Sequence, residues 1–194
     1  MTSFPSEFAV YVGRARQFSP RDWAVYVAWV GLMLGLVVAT GGVLVVGRLA
    51  GVAFPPEAYW VPAGAAIFAL AIAIDTIGHR TVYKPVIQEA EGLVHGVTIF
   101  CGIASSVALT AAYEHRAAFW IPAAVLTVLS FVYSLFDEAM HWKRYATGAS
   151  DRVEMWSHVF IFVGHGIMMT AWWYWFATGY AGVAETLEHL PRVT

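Results

Sequence analysis

The sequence predicts an all-α integral membrane protein with five transmembrane helices, and three observations carry this prediction. Of the 194 residues, 59% are hydrophobic and only 12% are charged, about half the charged share of an average soluble domain. Five long apolar stretches follow one another. Two of the hairpins that they form repeat one pattern of acidic, histidine and tyrosine residues. We therefore expect one membrane domain over residues 1–194, in which spans 2–5 form a pseudo-two-fold four-helix bundle from two repeated hairpins.

Each apolar stretch is long enough to cross a hydrocarbon core, which takes about 20 helical residues. The five spans are expected near residues 23–47, 59–79, 91–113, 118–141 and 154–178, and the repeats cover 59–113 and 118–178. The first span carries no charge, and the second and fourth stay uncharged until Asp75 and Asp137 near their ends. Pro62 and Pro122 lie in or near first turns, where the missing N–H costs little.

The positions of Lys and Arg predict the orientation in the membrane. If the N-terminus is cytoplasmic, eight of the 11 basic residues face the cytoplasm and three face outward, namely Arg48, Arg116 and Arg192. This asymmetry agrees with the positive-inside rule, and five spans then place the C-terminus outside. The net charge of −2 does not indicate a nucleic-acid partner. The expected partners are the lipid bilayer and a hydrophobic substrate, with a homo-oligomer or a larger membrane complex left open.

The two hairpins carry the same polar motif at their cytoplasmic ends. An Asp is followed by a His four residues on and a Tyr four further on, and after a short gap a Glu is followed by a His four residues on. The first copy is Asp75, His79, Tyr83, Glu91 and His95, and the second is Asp137, His141, Tyr145, Glu154 and His158. Residues four apart share a helix face. Four helix ends on one side of the membrane could therefore direct these carboxylates and imidazoles at one pocket.

Convergent carboxylates and imidazoles in a helix bundle indicate a metal site, and the ligand logic resembles that of the ferritin-like di-metal bundles. The predicted ligands are Asp75, His79, Glu91, His95, Asp137, Glu138, His141, Glu154 and His158. The histidines are expected as terminal ligands, the glutamates as bridges or caps, and the aspartates as ligands or as partners that fix imidazole tautomers. Because this set exceeds the needs of one ion, we predict two transition-metal ions, with iron favoured over zinc and manganese.

Three further residues are candidates for a role in the reaction. Tyr83 and Tyr145 lie one turn beyond a predicted histidine ligand and could hydrogen-bond a ligand or act as redox-active phenols. His165 lies two turns deeper than His158 on the same helix face, where the first repeat has Gly102. It could be an additional ligand, a partner of a ligand, a proton carrier or a buried neutral side chain.

The function that this pattern predicts is a membrane-embedded dinuclear metalloenzyme. The favoured form is an oxygen-activating di-iron oxidoreductase that acts near the cytoplasmic face on a hydrophobic or lipid-like substrate. One alternative keeps the site and replaces iron by zinc, which would make a membrane hydrolase. Another is an electron-transfer subunit in which His95 and His158 hold haem b, although haem has no need of the carboxylate that precedes each histidine. A metal transporter or sensor is less favoured, because the outer half of the bundle carries only hydroxyl groups.

Overall fold

The computed structural model describes residues 3–83, 89–148 and 150–190, without the side chains of residues 89–91. The helices are α1 (Phe4–Gly13), α2 (Pro20–Leu49), α3 (Pro56–Arg80), α4 (Glu89–Ala111), α5 (Arg116–Ala146), α6 (Arg152–Ala177) and α7 (Val183–Glu188), with a 3-10 turn at Arg14–Gln17. Within the described residues there is no β-strand. Five of the helices, α2–α6, are long and apolar enough to cross a membrane. The predicted all-helical class is thereby confirmed, and the five predicted spans coincide with five helices that could cross a membrane.

The long helices begin two or three residues before the predicted spans because polar and proline residues start them. At α2, the Ser19 hydroxyl accepts a hydrogen bond from the backbone N–H of Asp22, and the Asp22 carboxylate accepts one from the backbone N–H of Ser19. This reciprocal cap satisfies two backbone donors at the helix start. At the other extreme, α5 continues five residues past its predicted end at 141. Lys143 and Arg144 lie in this last turn, where cations suit the helix dipole.

Helix α3 packs closely along α6 because two glycines meet at their crossing. A methyl group on Gly64 would collide with the backbone of Met168, and one on Gly164 would lie 2.6 Å from the backbone nitrogen of Phe68. Small residues allow this approach, which is the usual way in which helices associate closely in lipid. The crossing fixes the spacing of α3 and α6 toward the helix ends that carry Asp75 and His158.

Helices α4 and α5 form a second pair, and α2 lies at the side of the bundle. Helix α4 packs along α5, α5 meets α6, and α2 lies against α3. Among the described residues no close backbone contact joins α2 to α4, so these two helices leave a cleft between them. We call the end of the bundle where α3 and α5 finish and α4 and α6 begin the polar end.

The polar end is covered by α1, an element that the sequence analysis does not predict. Arg152 donates two hydrogen bonds to Glu7, at 2.8 and 2.7 Å, and Arg14 donates one to Asp151 at 2.6 Å. Tyr11 is 1% exposed and inserts between these ion pairs and the bundle. Two ion pairs and one aromatic side chain therefore hold α1 over the ends of α3 and α6.

Candidate metal site

Four histidines from four helices converge at the polar end. His79 of α3, His95 of α4, His141 of α5 and His158 of α6 each offer a ring nitrogen, and these atoms all lie within 4.8 Å of one another. The His141 and His158 rings are buried and stack with centroids 3.4 Å apart. Imidazole nitrogens at this spacing could bind a metal ion, as the repeated motif predicts.

Asp75 joins the first histidine of the motif to the last. Its two oxygens lie 3.4 Å from His79 Nε2 and 3.1 Å from His158 Nε2, and the carboxylate is buried. The nearby Ser157 hydroxyl is 3.5 Å away and donates its main hydrogen bond to the backbone carbonyl of Glu154. Asp75 therefore contacts one histidine on its own helix and one on the helix that crosses it.

Asp137 makes the equivalent contacts in the second hairpin. One of its oxygens lies 2.6 Å from His95 Nδ1 and 3.7 Å from His141 Nε2, and the other lies 3.9 Å from His158 Nδ1. Its side chain is 11% exposed, and that of His95 is 24% exposed. His95 is thus the most accessible of the four imidazoles, whereas the other three are enclosed.

Glu154 is fully buried and is held by an arginine that sequence reasoning missed. One Glu154 oxygen accepts a hydrogen bond of 2.9 Å from Arg144 and lies 3.1 Å from His141 Nδ1. The same Arg144 nitrogen lies 2.8 Å from His141 Nδ1. In either tautomer this ring nitrogen has a partner, because Glu154 can accept its proton and Arg144 can donate to its lone pair. The signal for Arg144 is its position three residues after His141, on the same helix face.

Two other predicted carboxylate ligands can be located only in part. Glu138 lies with one oxygen 3.3 Å from His158 Nδ1, and its side chain is 13% exposed. The side chain of Glu91 lies outside the described residues. Whether either carboxylate is a ligand stays a prediction.

The ring nitrogens of His158 show how well the cluster suits a cation. Both lie close to carboxylate oxygens of Asp75 and Glu138, yet neither nitrogen has hydrogen-bond geometry with any described group. The same is true of His79 Nε2 and of the second oxygen of Glu154. Buried polar atoms normally have partners. Nitrogen and oxygen lone pairs that face one another without hydrogen bonds are suited to sharing a metal ion, so the residues present fit the predicted cofactor.

The charge of the cluster points the same way. Asp75, Asp137, Glu138 and Glu154 are carboxylates within one small volume, and the described ion pairs of these four groups include one guanidinium, that of Arg144. Removing uncompensated charge from water is costly. Charge balance at the cluster therefore requires cations, which divalent metal ions or protonated imidazoles could supply.

Tyr83 lies beside the cluster, and Tyr145 lies apart from it. Tyr83 is 2% exposed, accepts a 3.0 Å hydrogen bond from the backbone N–H of Asp151, and has the Arg144 guanidinium 5.3 Å from its ring centroid. Burial raises the pKa of Tyr83, so its hydroxyl stays protonated at neutral pH. The half-buried ring of Tyr145 packs against that of Trp142, with the ring centroids 6.2 Å apart. The two repeats therefore differ in the places that their tyrosines occupy.

Tyr11 is a second residue that the sequence analysis missed. Its ring tip rests on Gly78, next to His79, where any side chain at position 78 would collide with the Tyr11 hydroxyl. That hydroxyl is buried and has no hydrogen-bond partner among the described residues. Burial raises the pKa of Tyr11, and the negative charge of Asp75 adds to this effect. The sequence before α2 gives no periodic signal that would have placed this ring over the site.

A cleft of about 510 Å³ leads from the site toward the middle of the bundle. At one end it is lined by Asp75, His95, Asp137 and His158, and along its length by apolar faces of α2 and α4. His165 lines its wall and is stacked between the rings of Phe68 and Phe131 at centroid distances of 5.5 and 4.6 Å. The structure therefore places His165 in the cleft and not in the histidine cluster. A hydrophobic molecule could reach the site along this path.

Comparison of the chain with protein-family models, curated proteins and solved structures gives no match. Only the geometry of this site therefore indicates the function.

Proposed function

We propose that this chain is a membrane-embedded metalloenzyme whose two transition-metal ions, iron by preference, serve an oxidoreductase reaction on a hydrophobic substrate. The observation that carries the proposal is the convergence of four imidazoles and buried carboxylates at the polar end. Nitrogen and oxygen ligands suit iron, manganese and zinc. With iron bound, the site would have the electron transfer and dioxygen activation that such a reaction requires.

The repeat supports a dinuclear centre. Asp75 contacts His79 at 3.4 Å and Asp137 contacts His141 at 3.7 Å, so each aspartate reaches the histidine of its own helix. Asp75 also contacts His158, and Asp137 contacts His95. Exchange of the two hairpins turns the Asp75 contacts with His79 and His158 into the Asp137 contacts with His141 and His95. We infer a pseudo-two-fold site in which each half holds one ion.

The residues around the ligands would orient and shield them. Arg144 and Glu154 hold the His141 ring, and Tyr83 packs beneath the Arg144 guanidinium. Tyr11 closes the polar end over His79. These contacts leave the cleft beside His95 as the route by which a hydrophobic substrate would approach. On the distribution of Lys and Arg we place the polar end in the cytoplasm and the C-terminus outside.

Metal analysis of the purified protein tests the proposal. We expect about two ions per chain, as in other dinuclear sites, and an optical spectrum without the Soret band of haem. His158→Ala and His95→Ala should each lose most of the metal. His115→Ala is the matched control, because this histidine is exposed at the opposite end of α5, and it should keep the full content.

Two results would count against the assignment. If both site variants retain metal at the level of His115→Ala, the ligands are wrong. If the wild-type protein takes up zinc alone from a medium that offers iron, manganese and zinc, the oxidoreductase assignment fails and the hydrolase alternative replaces it.

A further inference from the structure

The shape of the cleft between α2 and α4 indicates what kind of molecule it holds. Its α4 wall runs from His95 to Thr110, and its α2 wall from Trp29 to Ala39. Fifteen residues of helix cover about 22 Å. The cleft of about 510 Å³ is therefore elongated, a shape that suits an extended hydrocarbon chain lying along the two helices.

Glycines keep the cleft open. Gly31 and Gly35 of α2 and Gly102 of α4 line the cleft, and a methyl group built on any of them meets no atom within 4 Å. The space beside them is therefore unfilled in the bundle. It opens toward the surface that faces lipid, because α2 and α4 do not touch there.

The polar groups of the cleft are mostly already satisfied. The hydroxyls of Thr98, Ser106 and Thr110 donate to carbonyls of their own helix at 2.9–3.1 Å. His165 differs. It is 4% exposed, it lines the cleft, and its Nε2 has no hydrogen-bond partner among the described residues. A buried imidazole nitrogen without a partner is costly unless a ligand supplies one.

His165 also has a defined distance from the predicted metal ligands. It follows His158 by seven residues on α6, which is about 10 Å along the helix axis. The flanking rings of Phe68 and Phe131 hold its imidazole plane in place. A ligand in the cleft could therefore present an oxygen to His165 while another part of the same chain reaches the cluster.

We infer that the cleft binds a lipid hydrocarbon chain that bears a carbonyl or hydroxyl oxygen, and that His165 hydrogen-bonds this oxygen. The lipid enters sideways from the bilayer between α2 and α4, with its chain along the glycine-lined wall. This inference names the substrate class of the proposed enzyme. It rests on the proposed function only for the reaction at the metal cluster, not for binding of the lipid in the cleft. His165 is a binding residue in this scheme, and it selects a chain with an oxygen function over a plain hydrocarbon.

Photolabelling of the full-length protein in phosphatidylcholine nanodiscs tests the inference. The probe is a diazirine-bearing long-chain alcohol, and the competitors are hexadecanol and hexadecane. We expect labelled residues to fall in the cleft, and hexadecanol to compete about fivefold to tenfold better than hexadecane, as one buried hydrogen bond implies.

Four variants locate the effect. Gly102→Leu and Gly35→Leu fill the cleft from its two walls and should reduce labelling at least tenfold. Gly96→Leu is the matched control, because Gly96 also has open space on α4 but is exposed and lies outside the cleft lining. His165→Phe should keep labelling and lose the preference for the alcohol.

Each outcome decides a separate point. Unchanged labelling in both filled variants, or an alcohol preference that survives in His165→Phe, would overturn the inference. Metal content is measured on the same samples. A protein that binds metal but is not labelled in the cleft would refute this inference and leave the proposed function standing.

Discussion

Gly164→Ala tests whether the close crossing of α3 and α6 sets the geometry of the site. The new methyl group would lie 2.6 Å from the Phe68 backbone nitrogen and 3.0 Å from the Gly64 carbonyl oxygen. Ordinary contact begins near 3.4 Å, and both neighbours are backbone atoms that cannot rotate away. The helices would have to separate by about 0.8 Å, and overpacking of this kind costs about 1–3 kcal/mol.

The neighbouring glycine supplies the control. Gly166 lies on the same helix, and a methyl group there meets no atom within 4 Å. Both substitutions gain the same helix propensity, about 1 kcal/mol for Ala over Gly. The difference between the two variants therefore isolates the crossing, and Gly164→Ala should be less stable than Gly166→Ala by about 1–3 kcal/mol.

Thermal unfolding in detergent, followed by the loss of helical circular dichroism, measures this difference. Metal content should change with it, because His158 lies six residues from Gly164, about 9 Å along the axis, and its 3.1 Å contact with Asp75 spans the two helices. We expect Gly164→Ala to bind less metal than Gly166→Ala. Equal melting temperatures and equal metal content in the two variants would refute the reasoning.

Three other outcomes follow from the site and its surroundings. Acidification from pH 7 to pH 5 should release metal, and neutralisation should restore binding, because protons compete with metal for the imidazole nitrogens; a metal content that is constant over this range would contradict the ligand set. Arg144→Gln should destabilise the metal-free protein by about 3–5 kcal/mol, because the fully buried Glu154 loses its cation. The double variant Arg144→Gln/Glu154→Gln should recover most of this loss in the same unfolding assay. An Arg144→Gln protein as stable as wild type would show that the pair is dispensable. Cys101, which is 3% exposed, should react with a maleimide only after unfolding, and rapid modification of the folded protein would show that α4 packs differently.

The histidine cluster could be predicted because its signal is local. A helix places residues four apart on one face, so Asp75 with His79 and Asp137 with His141 indicate two polar faces without any knowledge of tertiary structure. The structure adds the cross-helix contacts, and these are shorter: Asp75 is 3.1 Å from His158, against 3.4 Å from His79. Which helix crosses which depends on small residues such as Gly64, whose role shows only in the packed bundle.

The residues that escaped prediction act across long sequence separations. Arg14 pairs with Asp151, and Tyr11 covers Gly78, from a segment whose composition resembles an ordinary polar terminus. Arg144 is the exception, because it lies three residues after His141 and ten before Glu154; its place beside His141 is a local signal, but its pairing with Glu154 depends on the turn between α5 and α6. The open cleft could not be predicted either, since glycines in an apolar span fit close packing and empty space equally well.

If the cluster binds metal as proposed, its position between the helices would give the ions a structural task as well. Helices α3 and α6 form one tightly packed pair and α4 and α5 another, and the contacts between the two pairs are far sparser than those within them. Each pair contributes two of the four histidines. The buried carboxylates outnumber the guanidinium that pairs with them, so bound cations or protonated imidazoles must supply the remaining positive charge where the two pairs meet. Bound ions would form bonds to all four helices and would couple assembly of the bundle to metal uptake. The cleft between α2 and α4 would then stay open to lipid while the predicted ligands at its end join α4 to α3 and α6, helices that pack against α4 sparsely or not at all among the described residues.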